Sequence, residues 1–282
     1  MIFRELVKKY KDLCVLNNVP VETVMLYLVE LTQKESYNLY MNYENEVSEE
    51  LLVEFEKGME RILKHEPVQH VIGYSWFYGY KFLVSKDVLI PRPETEELVG
   101  YILQAIDNRF DCSTNLKVAD IGTGSGAIAI SLKKEIDKLD VSATDISKEA
   151  IEVAKQNASL NEVDINFMVG DMLEPFKNKE TKLDILICNP PYIPSDEVLE
   201  DFVSEHEPHV ALFGGEDGLK YYRRIFEECK TVLNPKSFMA FEIGYNQKEV
   251  LTLELNKTLP SVSFEFLKDI NGKDRMLFVY FD

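Results

Sequence analysis

Apolar positions in the first 66 residues recur at helical spacing. Leu6, Tyr10, Leu13 and Leu16 form one series; Val24, Leu28 and Leu31 form a second. Leu51, Leu52, Phe55, Met59, Ile62 and Leu63 form a third. Ser48 ahead of Glu49 and Glu50 marks the start of the last helix. The stretch contains one proline, Pro20, and one glycine, Gly58. The pattern predicts a small helical bundle over 1–66 whose apolar stripes are core.

At Pro67 the texture changes. From there to Ile90, aromatic and β-branched residues are broken by Gly73 and Gly79, so 67–90 is expected to be a β-hairpin linker. Its aromatics, from Tyr74 to Phe82, are expected to seal a domain junction and to line part of a substrate groove. Pro91-Arg92-Pro93-Glu94-Thr95-Glu96 then opens a helix through Leu98, Tyr101, Ile102 and Ala105. Prolines and acids both suit a helix start.

From Leu116 onward, apolar runs at 117–121, 141–144, 165–169, 184–188, 238–243, 262–266 and 276–280 alternate with helical segments. That spacing is the rhythm of βαβ units and predicts an α/β fold. Its seven-stranded, mostly parallel Rossmann-like sheet would fill a domain over 91–282. Only 268–274 separates the last two strands, too little for a crossover helix, so they should pair antiparallel. The helix 147–160 is well marked. Ser147 caps it, Ile146 and Ile151 can form a hydrophobic staple, and Ile151, Ala154 and Ala158 share a face.

Composition narrows the setting. The chain has 282 residues, 45% of them hydrophobic, enough for a substantial core. No apolar stretch reaches the roughly 20 residues that span a bilayer, and the start carries no signal pattern, so a cytoplasmic protein without membrane contact is expected. Cys14, Cys112, Cys188 and Cys229 are far apart and form no CxxC pair, which suits a reducing compartment. His70, His206 and His209 lack metal-ligand spacing, so no metal is expected and these histidines are read as structural or surface residues. Net charge is −18, divided as −5 over residues 1–66 and −13 over the rest. Neither part is a basic module, which argues against a stable nucleic-acid partner.

The chemistry gathers at strand ends. The first sheet strand runs into Gly122-Thr123-Gly124-Ser125-Gly126, three glycines at alternate positions before a helix. This Gly-x-Gly-x-Gly spacing suits a nucleoside without pyrophosphate better than the dinucleotide fingerprint does. Asp145, at the end of the second strand, can accept hydrogen bonds from ribose hydroxyls. Asp171 and Met172, after the third, suit the edge and face of an adenine ring. After the fourth comes Asn189-Pro190-Pro191-Tyr192. Prolines stiffen that turn. The Asn189 side-chain oxygen and the Pro190 carbonyl can accept from a planar –NH2 group, on which Tyr192 can stack. All four features lie along the edge where open α/β sheets bind ligands.

In this order the chain resembles a class I S-adenosylmethionine-dependent methyltransferase over at least 116–282. Asn189–Tyr192 resembles the tetrad of the subset that methylates planar nitrogens of adenine, guanine or protein glutamine. Further segments at 67–73, 82–96, 207–212 and 269–275 resemble the peptide chain release factor glutamine N5-methyltransferases, over nearly the whole chain. The resemblance implies methyl transfer from S-adenosyl-L-methionine, leaving S-adenosyl-L-homocysteine. The acceptor would be the glutamine amide of a Gly-Gly-Gln loop in release factors, with an effect on translation termination. It implies cofactor binding by Gly122, Thr123, Gly124, Ser125, Gly126, Asp145, Asp171, Met172 and Asn189. Asn189 and Pro190 would be catalytic, and Asn189, Pro190, Pro191 and Tyr192 would bind the acceptor. Arg92, Pro93, Thr95 and Glu96 would close over the pocket, and 1–66 would recognise the release factor. Some members carry Trp where this chain has Met172. A monomer is the expectation. No general base stands out, and the role of Glu242 at a strand end is left open. Two other readings share part of the pattern: an adenine-N6 or guanine-N2 nucleic-acid methyltransferase, and a cofactor-binding regulator without catalysis.

Overall fold

The computed structural model describes residues 1–34, 36–111, 114–177, 182–197 and 206–282. Contacts divide it into two compact units. One is Met1–Tyr74, joined by His206; the other takes in the remaining described residues.

The first unit is helical: α1 (Phe3–Leu16), α2 (Glu22–Thr32), α3 (Ser36–Met41), α4 (Glu49–Ile62) and α5 (Val68–Ile72). Leu6, Tyr10, Val24, Leu28, Phe55, Met59 and Ile62 are buried together, as their spacing predicts. Leu16 departs from its series and is exposed at the end of α1. The Ser48 hydroxyl caps α4 by accepting the Leu51 N–H at 3.3 Å. The Phe55 ring lies between Tyr10, edge-on at 5.2 Å, and Tyr27, stacked at 5.5 Å. Gly58 leaves room for Tyr27, whose hydroxyl would lie 2.0 Å from an added β-carbon.

The segment 67–90 differs from expectation. Pro67 is the N-cap of the one-turn helix α5, which Gly73 ends at φ +88°, and Val68 joins the core of the helical unit. The hairpin itself is shorter: β1 (Tyr74–Phe77) and β2 (Tyr80–Leu83), joined through Tyr78 and Gly79 at positive φ. Asparagine side chains tie it down. Asn157 accepts the Leu83 N–H at 2.7 Å and donates to the Leu83 carbonyl at 3.0 Å, while Asn161 donates to the Lys81 carbonyl at 3.0 Å.

The second unit contains α6 (Pro93–Arg109), β3 (Lys117–Ile121), α7 (Ala127–Glu135), β4 (Asp140–Asp145), α8 (Lys148–Leu160), β5 (Asn166–Val169) and β6 (Leu183–Cys188). It continues with α9 (Lys220–Glu228), β7 (Leu233–Glu242), α10 (Lys248–Thr258), β8 (Ser263–Lys268) and β9 (Asp274–Phe281). Strands stand in the order β5-β4-β3-β6-β7-β9-β8; β9 runs antiparallel to both neighbours and the other pairings are parallel. Among the described residues, the link from β5 to β6 carries only a 3-10 turn, Glu174–Phe176. Both sheet faces are buried, which is why the strands read as unbroken apolar runs. Val118, Ile185, Ile187, Phe238 and Ala240 pack in a core shared with α6 and α7. Ala119, Ile121, Leu186, Met239 and Phe241 share the opposite core with α9 and α10. Ser147 caps α8 as expected, accepting the Ala150 N–H at 3.1 Å. Ile146 remains 57% exposed while Ile151 is buried, so the staple is not closed. No helix among the described residues is long and apolar enough to cross a membrane.

Candidate active site

The carboxyl ends of β3, β4, β5 and β6 border one cleft. After β3, Gly122 and Gly124 take left-handed φ of +72° and +54°. The loop is held from below, because the Gly122 and Thr123 N–H groups donate to the Thr144 carbonyl at 2.8 and 2.9 Å. A β-carbon on either glycine would meet no atom within 4 Å. Bare backbone therefore faces open space, a cradle that any side chain would fill. The Asp145 carboxylate accepts the Gly124 N–H through one oxygen and the Ser147 N–H through the other, each at 2.9 Å. Burial raises its pKa, against the pull of backbone N–H groups of Ser147, Gly124 and Ile146. Asp120 is buried behind the loop and accepts the Thr123 hydroxyl at 2.6 Å; burial pushes its pKa up to about 6.

Gly126 has a different task. It is not among the cleft-lining residues. A β-carbon there would lie 2.9 Å from Ile130 and 3.2 Å from Ala154, so this glycine lets α7 pack on α8.

The Asn189 part of the cleft is made of side chains. Cys188, Asn189, Pro190 and Pro191 line it, with Thr95 from the first turn of α6. The Asn189 Nδ2 donates to Thr95 Oγ1 at 3.3 Å, and Thr95 Oγ1 donates to Glu242 Oε2 at 2.5 Å. Burial is the main cause that pushes the Glu242 pKa up to about 7. It also lifts the Cys188 thiol well above its ordinary range. The tetrad is clamped from its far side, where Gln247 Nε2 donates to the Tyr192 carbonyl and to the Gly218 carbonyl, both at 3.2 Å. Gly218 is at φ +73°, and its missing β-carbon would sit 2.2 Å from the Tyr192 carbonyl oxygen. Tyr192 itself does not line the cleft; it packs against the α9 core, and burial pushes its hydroxyl pKa up to about 12.

The other expected site residues divide. Thr123, Ser125, Asp145, Asp171, Met172 and Arg92 line the cleft with the two glycines. Met172 holds φ +51°, unusual for a non-glycine residue and of a kind that clusters at ligand sites. Asp171 is engaged by Arg224, whose Nη1 lies 2.7 Å from each carboxylate oxygen. Arg92 donates to the buried Glu207 at 2.5 Å, and Glu207 also accepts the Ile90 N–H at 3.1 Å. Pro93 and Glu96 are outside the lining. Pro93 is an exposed helix-start residue, and Glu96 accepts the Tyr78 N–H at 2.9 Å. The aromatics from Tyr74 to Phe82 do not line the cleft either. Phe77 and Phe82 pack edge-on in the core at 5.9 Å, and Trp76 is exposed. Asp87, Val88 and Leu89, expected only as linker, do form part of its wall.

Asn157, Glu207 and Arg224 carried no functional assignment in the sequence. Asn157 is fully buried and, besides holding Leu83, donates to the Ser125 carbonyl at 2.9 Å, so it ties hairpin and glycine loop together. Its signal was an amide beside Ala154 and Ala158 on an apolar helix face. Glu207 and Arg224 had no local signal, since their partners lie 115 and 53 positions away.

Known proteins complete the picture. Residues 101–214 match the methyltransferase small domain, and 17–73 match the PrmC N-terminal domain. A release factor glutamine methyltransferase of Bacillus cereus is 45% identical over 259 residues, 91% of this chain and 90% of that protein. One from Bacillus subtilis is 43% identical over 89% of this chain and 88% of its own length. One from Staphylococcus aureus is 38% identical over 91% and 90%. Among solved structures, a methyltransferase from Pyrococcus furiosus aligns with TM-score 0.53 at 17% identity, covering 80% of this chain and 98% of its own. The human methyltransferase 10 domain containing protein aligns at 0.52 and 20%, covering 72% and 90%. These two share the Rossmann-like fold. With such identity to curated relatives over nine-tenths of its length, the chain belongs to the release factor glutamine methyltransferase family.

Proposed function

We propose that this protein transfers a methyl group from S-adenosyl-L-methionine to the side-chain amide nitrogen of the glutamine in the Gly-Gly-Gln loop of peptide chain release factors, tuning translation termination. The observation that carries the reading is the setting of Asn189. Its amide nitrogen is given to Thr95, which leaves its oxygen for an incoming N–H donor beside the Pro190 carbonyl.

The cleft suits the cofactor. Gly122 and Gly124 offer open backbone, Asp145 keeps unused lone pairs for ribose hydroxyls, and Met172 and Ile146 provide apolar surface for an adenine ring. When bound, S-adenosylmethionine supplies a methyl group activated on a sulfonium. The chain's residues do the rest. An amide nitrogen is a poor nucleophile because its lone pair is delocalised into the carbonyl. Asn189 Oδ1 and the Pro190 carbonyl accept its two N–H bonds, hold it in line and make it more electron-rich. Such alignment can lower a barrier by several kcal/mol. Positive charge grows on the nitrogen during transfer, and two fixed carbonyl dipoles favour it. The charged product nitrogen then loses its proton to water or a carbonyl relay, with S-adenosyl-L-homocysteine left behind.

Residues 1–66 are assigned to gripping the release factor. In this reading the enzyme is a cytoplasmic monomer with no stable nucleic-acid partner, in keeping with a net charge of −18. The test uses labelled S-adenosylmethionine with three acceptors: release factor, release factor whose Gly-Gly-Gln glutamine is replaced, and nucleic acid. Label is expected on the first alone; label on nucleic acid would overturn the assignment.

A further inference from the structure

We propose that Glu242 is a positioning residue: through the Thr95 hydroxyl it fixes the Asn189 amide with its oxygen toward the acceptor. The direction of the effect on catalysis rests on the acceptor reading above.

Three elements meet in this relay. Glu242 ends β7, Thr95 opens α6, and Asn189 follows β6. Glu242 is 3% exposed and Thr95 4%. An ionised carboxylate only accepts hydrogen bonds, and a threonine hydroxyl has a single proton. Once that proton goes to Glu242, at 2.5 Å, the hydroxyl can offer Asn189 only a lone pair. The amide must then present its N–H side to Thr95, as it does at 3.3 Å, and its oxygen turns away. The chain of bonds runs one way. A proton on Glu242 would let it donate to Thr95, free the hydroxyl proton for Asn189 and favour the inverted amide.

The surroundings make an ordinary structural role a poor account of this carboxyl. Its neighbours on β7, from Phe238 to Phe241, are apolar and buried. It forms no ion pair with a described residue, and a buried carboxylate without one is costly. Arg275 on β9 favours the ionised form, but its guanidinium also reaches Asp269 and the Ile243 carbonyl, each at 3.4 Å. Glu94 on α6 opposes ionisation, while hydrogen bonding from the Thr95 hydroxyl, and to a smaller extent from the Asn189 amide directly, supports it. From α9 the Tyr222 hydroxyl donates to the Glu242 backbone carbonyl at 2.8 Å, and from the tetrad side the Tyr192 hydroxyl feels the Glu242 charge, which helps raise its pKa.

Two measurements test the relay. The first needs no acceptor: the side-chain 15N resonance of Asn189, identified by its loss in Asn189→Ala, is followed between roughly pH 5 and 9. It is expected to shift with a midpoint of about 7 in the wild type and to stay flat in Glu242→Gln. The second is methyl transfer to release-factor glutamine. The wild-type kcat should fall on the acid side with that same midpoint, and Glu242→Gln should lack the limb. Thr95→Val should lower kcat about 100-fold with the KM for cofactor unchanged, and Thr95→Ser should recover most of it. A flat wild-type resonance, or an unimpaired Thr95→Val, would overturn the inference. If wild-type enzyme methylates no release-factor glutamine, the acceptor reading falls, and the resonance alone decides whether Glu242 sets the amide.

Discussion

The two parts of the cleft are built from different materials. Around the glycine loop the ligand-facing surface is mostly backbone, held by short-range bonds such as Thr123 to Asp120 and Ser147 to Asp145. Around Asn189 the Pro190 carbonyl is joined by side chains linked across 94 residues from Asn189 to Thr95 and 147 from Thr95 to Glu242. A backbone cradle fails when atoms are added to it. A side-chain relay fails when one hydrogen bond is removed. In the proposed reaction the first would bind and the second would aim, so substitutions should separate the two.

The sharpest separation is expected from Asn189→Ala. Transfer should fall about 1000-fold while the cofactor Kd, measured by calorimetry, moves less than about threefold. Equal loss in both would erase the distinction between the two parts.

Next in size is the pH dependence of stability at the relay. Burial is the first cause that lifts Glu242 above its ordinary range to about 7, so the fold favours the protonated form. The sign follows: this stabilisation is full below the unfolded value near 4.5 and is lost as pH rises through about 7. Glu242→Gln should therefore gain on the wild type from pH 5 to pH 8 by an order of 2–3 kcal/mol in denaturant midpoints converted to free energy. A constant difference across that range would mean that the carboxyl titrates normally.

Gly122→Ala probes the other part. Its β-carbon would project into open cleft, so cofactor Kd should rise about 30-fold, with roughly 1 kcal/mol of folding cost from the left-handed φ. At saturating cofactor, kcat should stay within about threefold of wild type. Unchanged cofactor binding would refute the backbone cradle. The smallest effect belongs to Arg224→Ala. Its pair with Asp171 is partly exposed, worth about 0.5 kcal/mol, so freeing Asp171 should tighten cofactor by no more than about threefold. A large loss would instead make Arg224 itself a ligand-holding residue.

The same contrast governs what could be read from the chain. Strands 117–121 and 184–188 are legible because both faces are buried. Gly122 and Gly124, expected to hold the cofactor, line the cleft. Gly126 looked identical in sequence, yet only the approach of Ala154 from α8 gives it a packing task. The hairpin expected over 67–90 starts only at Tyr74, because the apolar residues from Pro67 to Gly73 suit a helical turn equally well and that turn is settled by packing in the helical core. Glu242 could be seen at its strand end, but the hydroxyl it needs comes from another helix, and periodicity carries no trace of that pairing.

The buried thiol of Cys188 has one further consequence. It lines the cleft one position before Asn189 and is 1% exposed. A thiolate is a far better nucleophile than a carboxamide, whereas a protonated thiol is weak. Burial, helped by the charges of Asp120 and Asp145, holds this sulfur in its protonated form. In the proposed reaction this burial would keep the sulfur from competing with the acceptor amide for the methyl group.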